Sequence, residues 1–70
     1  MIDPEAVNSL TERELHVLRL TALGLSAKEI AKELKIAPRT VERHIDHVRL
    51  KTRTRNRSHM VAFAVSNGCL

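Results

Sequence analysis

Ser26-Ala27-Lys28-Glu29-Ile30-Ala31-Lys32-Glu33-Leu34, then Lys35-Ile36-Ala37, then Pro38-Arg39-Thr40-Val41-Glu42-Arg43-His44-Ile45-Asp46-His47-Val48, is the stretch that decides the fold. Its first segment opens with a capping box, in which the Ser26 hydroxyl can accept from the third helical amide while Glu29 reaches back to the cap amide. Ile30, Ala31 and Leu34 share one helical stripe behind it. Lys35-Ile36-Ala37 is too short for anything but a turn. Pro38 suits a first helical position, because that amide has no intrahelical partner to lose. Val41, His44 or Ile45, and Val48 then carry an apolar stripe on to about Thr52. A short capped helix over 26–34, a tight turn and a longer basic helix over 38–52 make the helix-turn-helix pattern.

Similar signals bound the rest of the chain. Thr11-Glu12-Arg13-Glu14 is a second capping box, with Val17, Leu18, Thr21 and Ala22 on one stripe and Gly24 as the permissive residue that ends the helix. This predicts a helix over about 11–23. Arg53 to Arg55 reads as a connector, Asn56 can cap a helix over 56–67, and Gly68 stops it. There is no strand signal. The expectation is an all-α, four-helix bundle containing a helix-turn-helix without a wing, one domain over 10–70. Residues 1–9 read as a flexible lead-in, with Leu10 packing onto the first helix.

The chain has 70 residues, 12 Lys+Arg against 8 Asp+Glu, and a formal charge of +4. That length suffices for one small core and argues against an enzyme with a deep cleft. The single cysteine, Cys69, rules out an internal disulfide framework and suits a reducing cytosol. No apolar run approaches the roughly 18 residues that span a bilayer, and no secretory leader pattern is expected. The charge is unevenly placed. Residues 1–34 carry Arg13, Arg19, Lys28 and Lys32 against Asp3, Glu5, Glu12, Glu14, Glu29 and Glu33, a net −2. Residues 35–57 carry Lys35, Arg39, Arg43, Arg49, Lys51, Arg53, Arg55 and Arg57 against Glu42 and Asp46, a net +6. Residues 58–70 carry no Lys, Arg, Asp or Glu. Solubility alone would be served by even mixing of the signs; this segregation points to a polyanionic partner.

Helix 38–52 has the diameter to enter a DNA major groove and presents Arg39, Arg43, Arg49 and Lys51. Ser26, Lys28 and Thr40 lie near helix N-termini, where free amides gather phosphates. Other chemistry is poorly supported. His44 and His47 stand three apart on a helix, but no carboxylate or cysteine at suitable spacing completes a metal site. Cys69 has no paired base to activate it. Neither catalysis nor a cofactor is expected.

Many of these residues together resemble a known family. Leu10-Thr11-Glu12-Arg13-Glu14, Val17-Leu18 and Gly24-Leu25-Ser26-Ala27-Lys28-Glu29-Ile30-Ala31 look like the opening of the LuxR/FixJ (GerE-like) helix-turn-helix DNA-binding domain. Ile36-Ala37-Pro38-Arg39-Thr40-Val41, His44, Lys51, Asn56-Arg57, Val61, Ala64 and Gly68 continue it in order and spacing, over roughly residues 8 to 70. The resemblance implies a transcription-factor domain, usually at the C-terminus of a regulator, with helix 38–52 for recognition and helix 56–67 for dimerisation. It places base reading at Glu42, Arg43 and Asp46. It places DNA-backbone contacts at Lys28, Thr40, Lys51 and Arg57, to which the basic pattern adds Ser26, Arg39, His47 and Arg49. Acids stand at Glu42 and Asp46, where many members carry Lys or another polar residue. Each can accept from cytosine N4, or pair with Arg39, Arg43 or Arg49 at helical spacing. Thr52 replaces a common aliphatic core residue and Arg53 a frequent glycine, which unsettles the packing of that joint.

Met60-Val61-Ala62-Phe63-Ala64-Val65 is apolar all round, unlike an ordinary surface helix. With Val61 and Ala64 inward, Ala62, Phe63 and Val65 are left for a two-fold contact with a second copy. The alternative is that Phe63 and Met60 fold back onto the first helix. Leu15 and Leu23 lie off the stripe of helix 11–23 and could meet a sensor or receiver domain or RNA polymerase. The expected function is sequence-specific binding of a pseudo-palindromic duplex site by a cytoplasmic, nucleoid-associated homodimer that regulates transcription, with no membrane partner. The chain would be an effector domain cut from a larger regulator or a stand-alone one. Two alternatives stand beside this reading. The chain is also similar to region 4 of sigma factors, and a protein-interaction module that forms mixed dimers or binds an acidic partner would share its charge.

Overall fold

A computed structural model describes residues 3–70, and the described residues form five helices and no strand. They are α1 (Pro4–Asn8), α2 (Glu12–Ala22), α3 (Ala27–Leu34), α4 (Pro38–Thr52) and α5 (Arg57–Ser66). Both capping boxes form. The Thr11 amide donates to Glu14 Oε1 at 2.9 Å while the Glu14 amide donates to Thr11 Oγ1 at 3.1 Å. At α3 the Ser26 amide donates to Glu29 Oε1 at 2.9 Å, and the Glu29 amide donates to Ser26 Oγ at 3.2 Å. Asn56 caps α5 by accepting from the His59 amide at 2.9 Å. The α4 start has no side-chain cap and relies on Pro38 in its first turn.

The last four helices end by one device. The amides of Leu25, Ile36, Thr54 and Cys69 each donate to the carbonyl five residues back (Leu20, Ala31, Arg49 and Ala64) at 2.9–3.1 Å. Such closure needs a left-handed residue just before the donor. Gly24 (φ 97°) and Gly68 (φ 65°) supply it after α2 and α5; Lys35 (φ 57°) and Arg53 (φ 56°) supply it after α3 and α4. Arg53 thus takes up the conformation that a glycine would adopt without strain. The preceding Thr52 also fits its buried position, because its hydroxyl donates to the Val48 carbonyl at 2.7 Å and shares a 3.0 Å hydrogen bond with the Thr54 hydroxyl. The joint is therefore packed, with its buried hydroxyls satisfied.

Two apolar clusters meet along α2, whose adjacent Val17 and Leu18 are fully buried and serve one cluster each. Leu18 joins Val48, Met60, Ala64 and Cys69, and Val17 joins Ile30, Ala31 and Val41; Ile45 packs on both. Burial of one such aliphatic side chain contributes about 1.5–3 kcal/mol. α4 is thereby held between α2 and α3 on one side of its length and α5 on another.

Three expectations change. The lead-in is partly helical: Asp3 accepts from the Ala6 amide at 3.1 Å, Pro4 opens the first turn and Ala6 is buried. Residues 1 and 2 of that lead-in lie outside the described residues. Leu15, expected off the core stripe, packs against the Leu18 cluster. In α5 the inward residues are Met60 and Ala64, while Val61 is only half-buried. Met60 reaches the Leu18 cluster because it lies four residues before Ala64, on the same helical face.

Candidate nucleic-acid interface

The stripe of α4 formed by Val41, Ile45, Val48 and Thr52 faces the core. By helical geometry the opposite side carries Arg39, Glu42, Arg43, Asp46 and Leu50, all exposed. Over 15 residues α4 extends about 22 Å, packed on its inner side from Val41 to Thr52 and open on its outer side. Among the described residues, no hydrogen bond or ion pair engages the side chains of Arg39, Glu42, Arg43 or Lys28. Thr40 is half-buried in the first turn of α4, and Ser26, exposed at the start of α3, spends its oxygen on the Glu29 amide.

The remaining candidates for DNA contact are engaged with the protein itself. Lys51 Nζ donates to Glu14 Oε1 at 2.7 Å and to the Ser9 carbonyl at 3.0 Å, joining the end of α4 to the α1–α2 junction. His47 Nδ1 lies 3.7 Å from the other oxygen of the same carboxylate. Arg57 donates to the Leu25 carbonyl, fixing the start of α5 to the turn that leads into α3. Arg49 donates to the Arg55 carbonyl at 3.1 Å and stands 3.6 Å from Asp46. Of the two acids on the outer side, Asp46 therefore has a basic partner within its own helix and Glu42 has none.

Glu14 is the hub of this bracing, with its side chain only 5% exposed. Burial pushes its carboxyl up, but hydrogen bonds from Lys51 and Thr11 and the Lys51 charge outweigh that and hold it below the usual carboxylate value. The neighbouring capping acid, Glu29, is also lowered, by the Ser26 amide and hydroxyl. Cys69 is buried, and burial pushes its thiol up against the opposing Arg19 charge, which disfavours the thiolate. Its carbonyl accepts from Arg19 Nε at 2.6 Å, so the residue anchors the end of the chain. Among the described residues, no cluster of three or more His, Cys, Asp or Glu is arranged to hold a metal, and no helix is long and apolar enough to cross a membrane.

On α5, Ala62 is exposed, Phe63 half-buried and Val65 61% exposed. Phe63 and Ala62 border a shallow groove whose other walls include Thr52, Arg53 and His59. Leu50, 76% exposed, sits seven residues beyond Arg43 on the outer side of α4, an isolated apolar side chain in a basic stretch that no sequence stripe marks. Leu23 is 68% exposed at the end of α2.

Residues 8–64 match the family described as bacterial regulatory proteins, luxR family. The transcriptional regulatory protein FixJ of Rhizobium meliloti is 40% identical over 62 residues, which is 89% of this chain and 30% of that protein. Response regulator Rre1 of Synechocystis is 43% identical over 58 residues, 83% of this chain and 25% of the relative. A putative HTH-type transcriptional regulator of Mycobacterium bovis is 45% identical over 60 residues, 86% of this chain and 7% of the relative. The chain thus spans less than a third of the length of these relatives. No solved structure matches the chain at a comparable level.

Proposed function

The chain belongs to the luxR family of bacterial regulatory proteins, as a helix-turn-helix DNA-binding domain of a transcriptional regulator, and from that premise we propose that it binds a specific duplex site as a homodimer, with α4 in the major groove. One observation carries the reading: the outer side of α4 offers Arg39 and Arg43, exposed and with no protein partner, while Lys51 at the far end of the same helix is tied to Glu14. Arg43 has the reach to bond a guanine through O6 and N7. Lys28, Arg39 and Thr40 hold phosphates at the groove edge, with Ser26 beside them and His47 and Arg49 at the rim. In this reading Lys51 and Arg57 keep the surface in shape through Glu14 and Leu25. The protein works in the cytoplasm, at the nucleoid.

Two copies joined through Ala62, Phe63 and Val65 of α5 would set two α4 helices in successive major grooves, which favours a pseudo-palindromic site. The relatives' greater length supports a receiver or sensor domain in a longer regulator, and Leu23, exposed at the end of α2, offers an apolar contact to it or to RNA polymerase. Fluorescence anisotropy with duplex DNA at several salt concentrations tests the core of the reading. Affinity should fall steeply, with a slope near −0.9 per neutralised phosphate in log K against log salt. A flat response, or no binding to a random duplex pool at low salt, would refute it. Val65→Glu should halve the sedimentation mass while helical circular dichroism survives; an unchanged mass rejects the α5 contact.

A further inference from the structure

Two carboxylates on the face proposed to meet DNA look equivalent in sequence, and the structure separates them. Asp46 Oδ1 lies 3.6 Å from Arg49 Nη1, one turn on, and Arg49 is itself tied to the Arg55 carbonyl where α4 ends. An exposed pair of this kind adds little stability, but it turns the Asp46 carboxylate along the helix towards a fixed cation. Glu42 is exposed, lies one turn closer to the start of α4, and has Arg39 at helical spacing three residues back, yet no ion pair or hydrogen bond engages it. An unneutralised carboxylate on a surface that meets a polyanion weakens every binding mode, unless it finds a donor there.

The edges of the bases in the major groove show which donor that is. Guanine presents only acceptors, N7 and O6. Thymine presents an acceptor and a methyl group. Adenine offers an amino group beside the N7 lone pair, which repels a carboxylate. Cytosine alone offers the N4 amino group as its major-groove feature. We infer that Glu42 is a specificity-determining residue that selects a cytosine next to the step read by Arg43, and that Asp46 is a positioning residue that steadies Arg49 instead of reading a base. The inference rests on the duplex-binding reading above and adds the base class at one position of the half-site.

Selection of bound sequences from random duplex DNA by the full 70-residue chain, repeated with Glu42→Ala, Glu42→Gln, Asp46→Ala and Arg43→Ala, tests it. The wild-type chain should prefer cytosine at one step of each half-site by about tenfold. Glu42→Ala should abolish that preference alone and bind unselected duplex more tightly, because a repulsive charge has gone. Glu42→Gln, nearly the same shape, should move the preference to adenine, whose N6 and N7 suit an amide. Asp46→Ala should leave the cytosine step as in wild type, and Arg43→Ala should relax a neighbouring step instead. Retention of the cytosine preference in Glu42→Ala, or its loss in Asp46→Ala, would overturn the inference while duplex binding itself stands. Absence of binding to any duplex would overturn both.

Discussion

Along α4, Arg39 and Arg43 extend from the first turns without a protein partner, whereas Lys51 in the last turn is drawn back onto Glu14 and the Ser9 carbonyl. All three are cations on one 15-residue helix. Their difference lies in what faces them. Arg39 and Arg43 stand on the side of α4 opposite the Val41–Ile45–Val48 stripe that packs on α2 and α3, while the Lys51 flank meets the N-terminus of α2, where a buried carboxylate waits. A carboxylate in that position must have a cation, and Lys51 supplies one from across the fold. The same helix therefore carries a side free to bind and a side that holds it in place, and only a helix that is held can present its free side in a fixed register.

The largest effect that tests this division comes from Lys51→Ala. Glu14 then keeps its burial and loses its ammonium, so stability should fall by about 2–3 kcal/mol, lowering Tm by roughly 10 °C or more in a domain this small. Arg43→Ala, a similar truncation on the free side, should stay within about 0.5 kcal/mol of wild type. Urea and thermal unfolding followed by circular dichroism compare the two. Equal losses would erase the distinction between a binding side and a braced one.

Acid provides a smaller and more selective probe of the same brace. The Glu14 carboxyl lies below its usual value of 4.5 in the folded chain, so the unfolded chain binds the proton more readily over the interval between the two values. Its contribution to stability is complete above the unfolded value and disappears as pH falls through the folded one. Glu14→Gln should thus be clearly less stable than wild type at pH 7, and the gap between them should close on titration towards pH 3. Urea midpoints at pH 7, 5 and 3 measure it. A gap that persists unchanged at pH 3 would mean that packing of the side chain matters and its charge does not.

What was legible in the sequence divides along the same line. The capping boxes at Thr11–Glu14 and Ser26–Glu29 could be read because both partners lie within one turn, and the helix limits followed from them to within a residue or two. The helix-turn-helix and its basic face were legible for the same reason. The destinations of Lys51 and Arg57 were not, since their partners Glu14 and Leu25 are 37 and 32 residues away and depend on how helices cross. Helix α1 was missed because five residues hardly sustain a helix alone; it is secured by the Asp3 amide donating to Asn67 Oδ1 and by Lys51 on Ser9. Leu15 was misplaced because a stripe drawn for one contact surface ignores the second surface that α2 shares with α4 and α5.

The smallest expected effect concerns a cation that neither side claims. Arg53 ends α4 at φ 56°, ψ 38°, a conformation that costs an L-residue roughly 1–2 kcal/mol and glycine almost nothing. Glycine, in turn, releases more chain entropy on unfolding, about 0.5–1 kcal/mol. Arg53→Gly should therefore stabilise the chain by about 0.5–1 kcal/mol, seen as a rise in Tm of a few degrees. Lys35→Gly, in the same backbone state at the end of α3, should gain about as much. The two should part in DNA binding: Arg53 extends the cationic stretch beyond α4, so its loss should weaken duplex affinity a few-fold at low salt and reduce the salt slope by about one. If Arg53→Gly stabilises the fold and leaves the slope unchanged, the arginine belongs with the braced side of α4, and the strained turn is held without a return in binding.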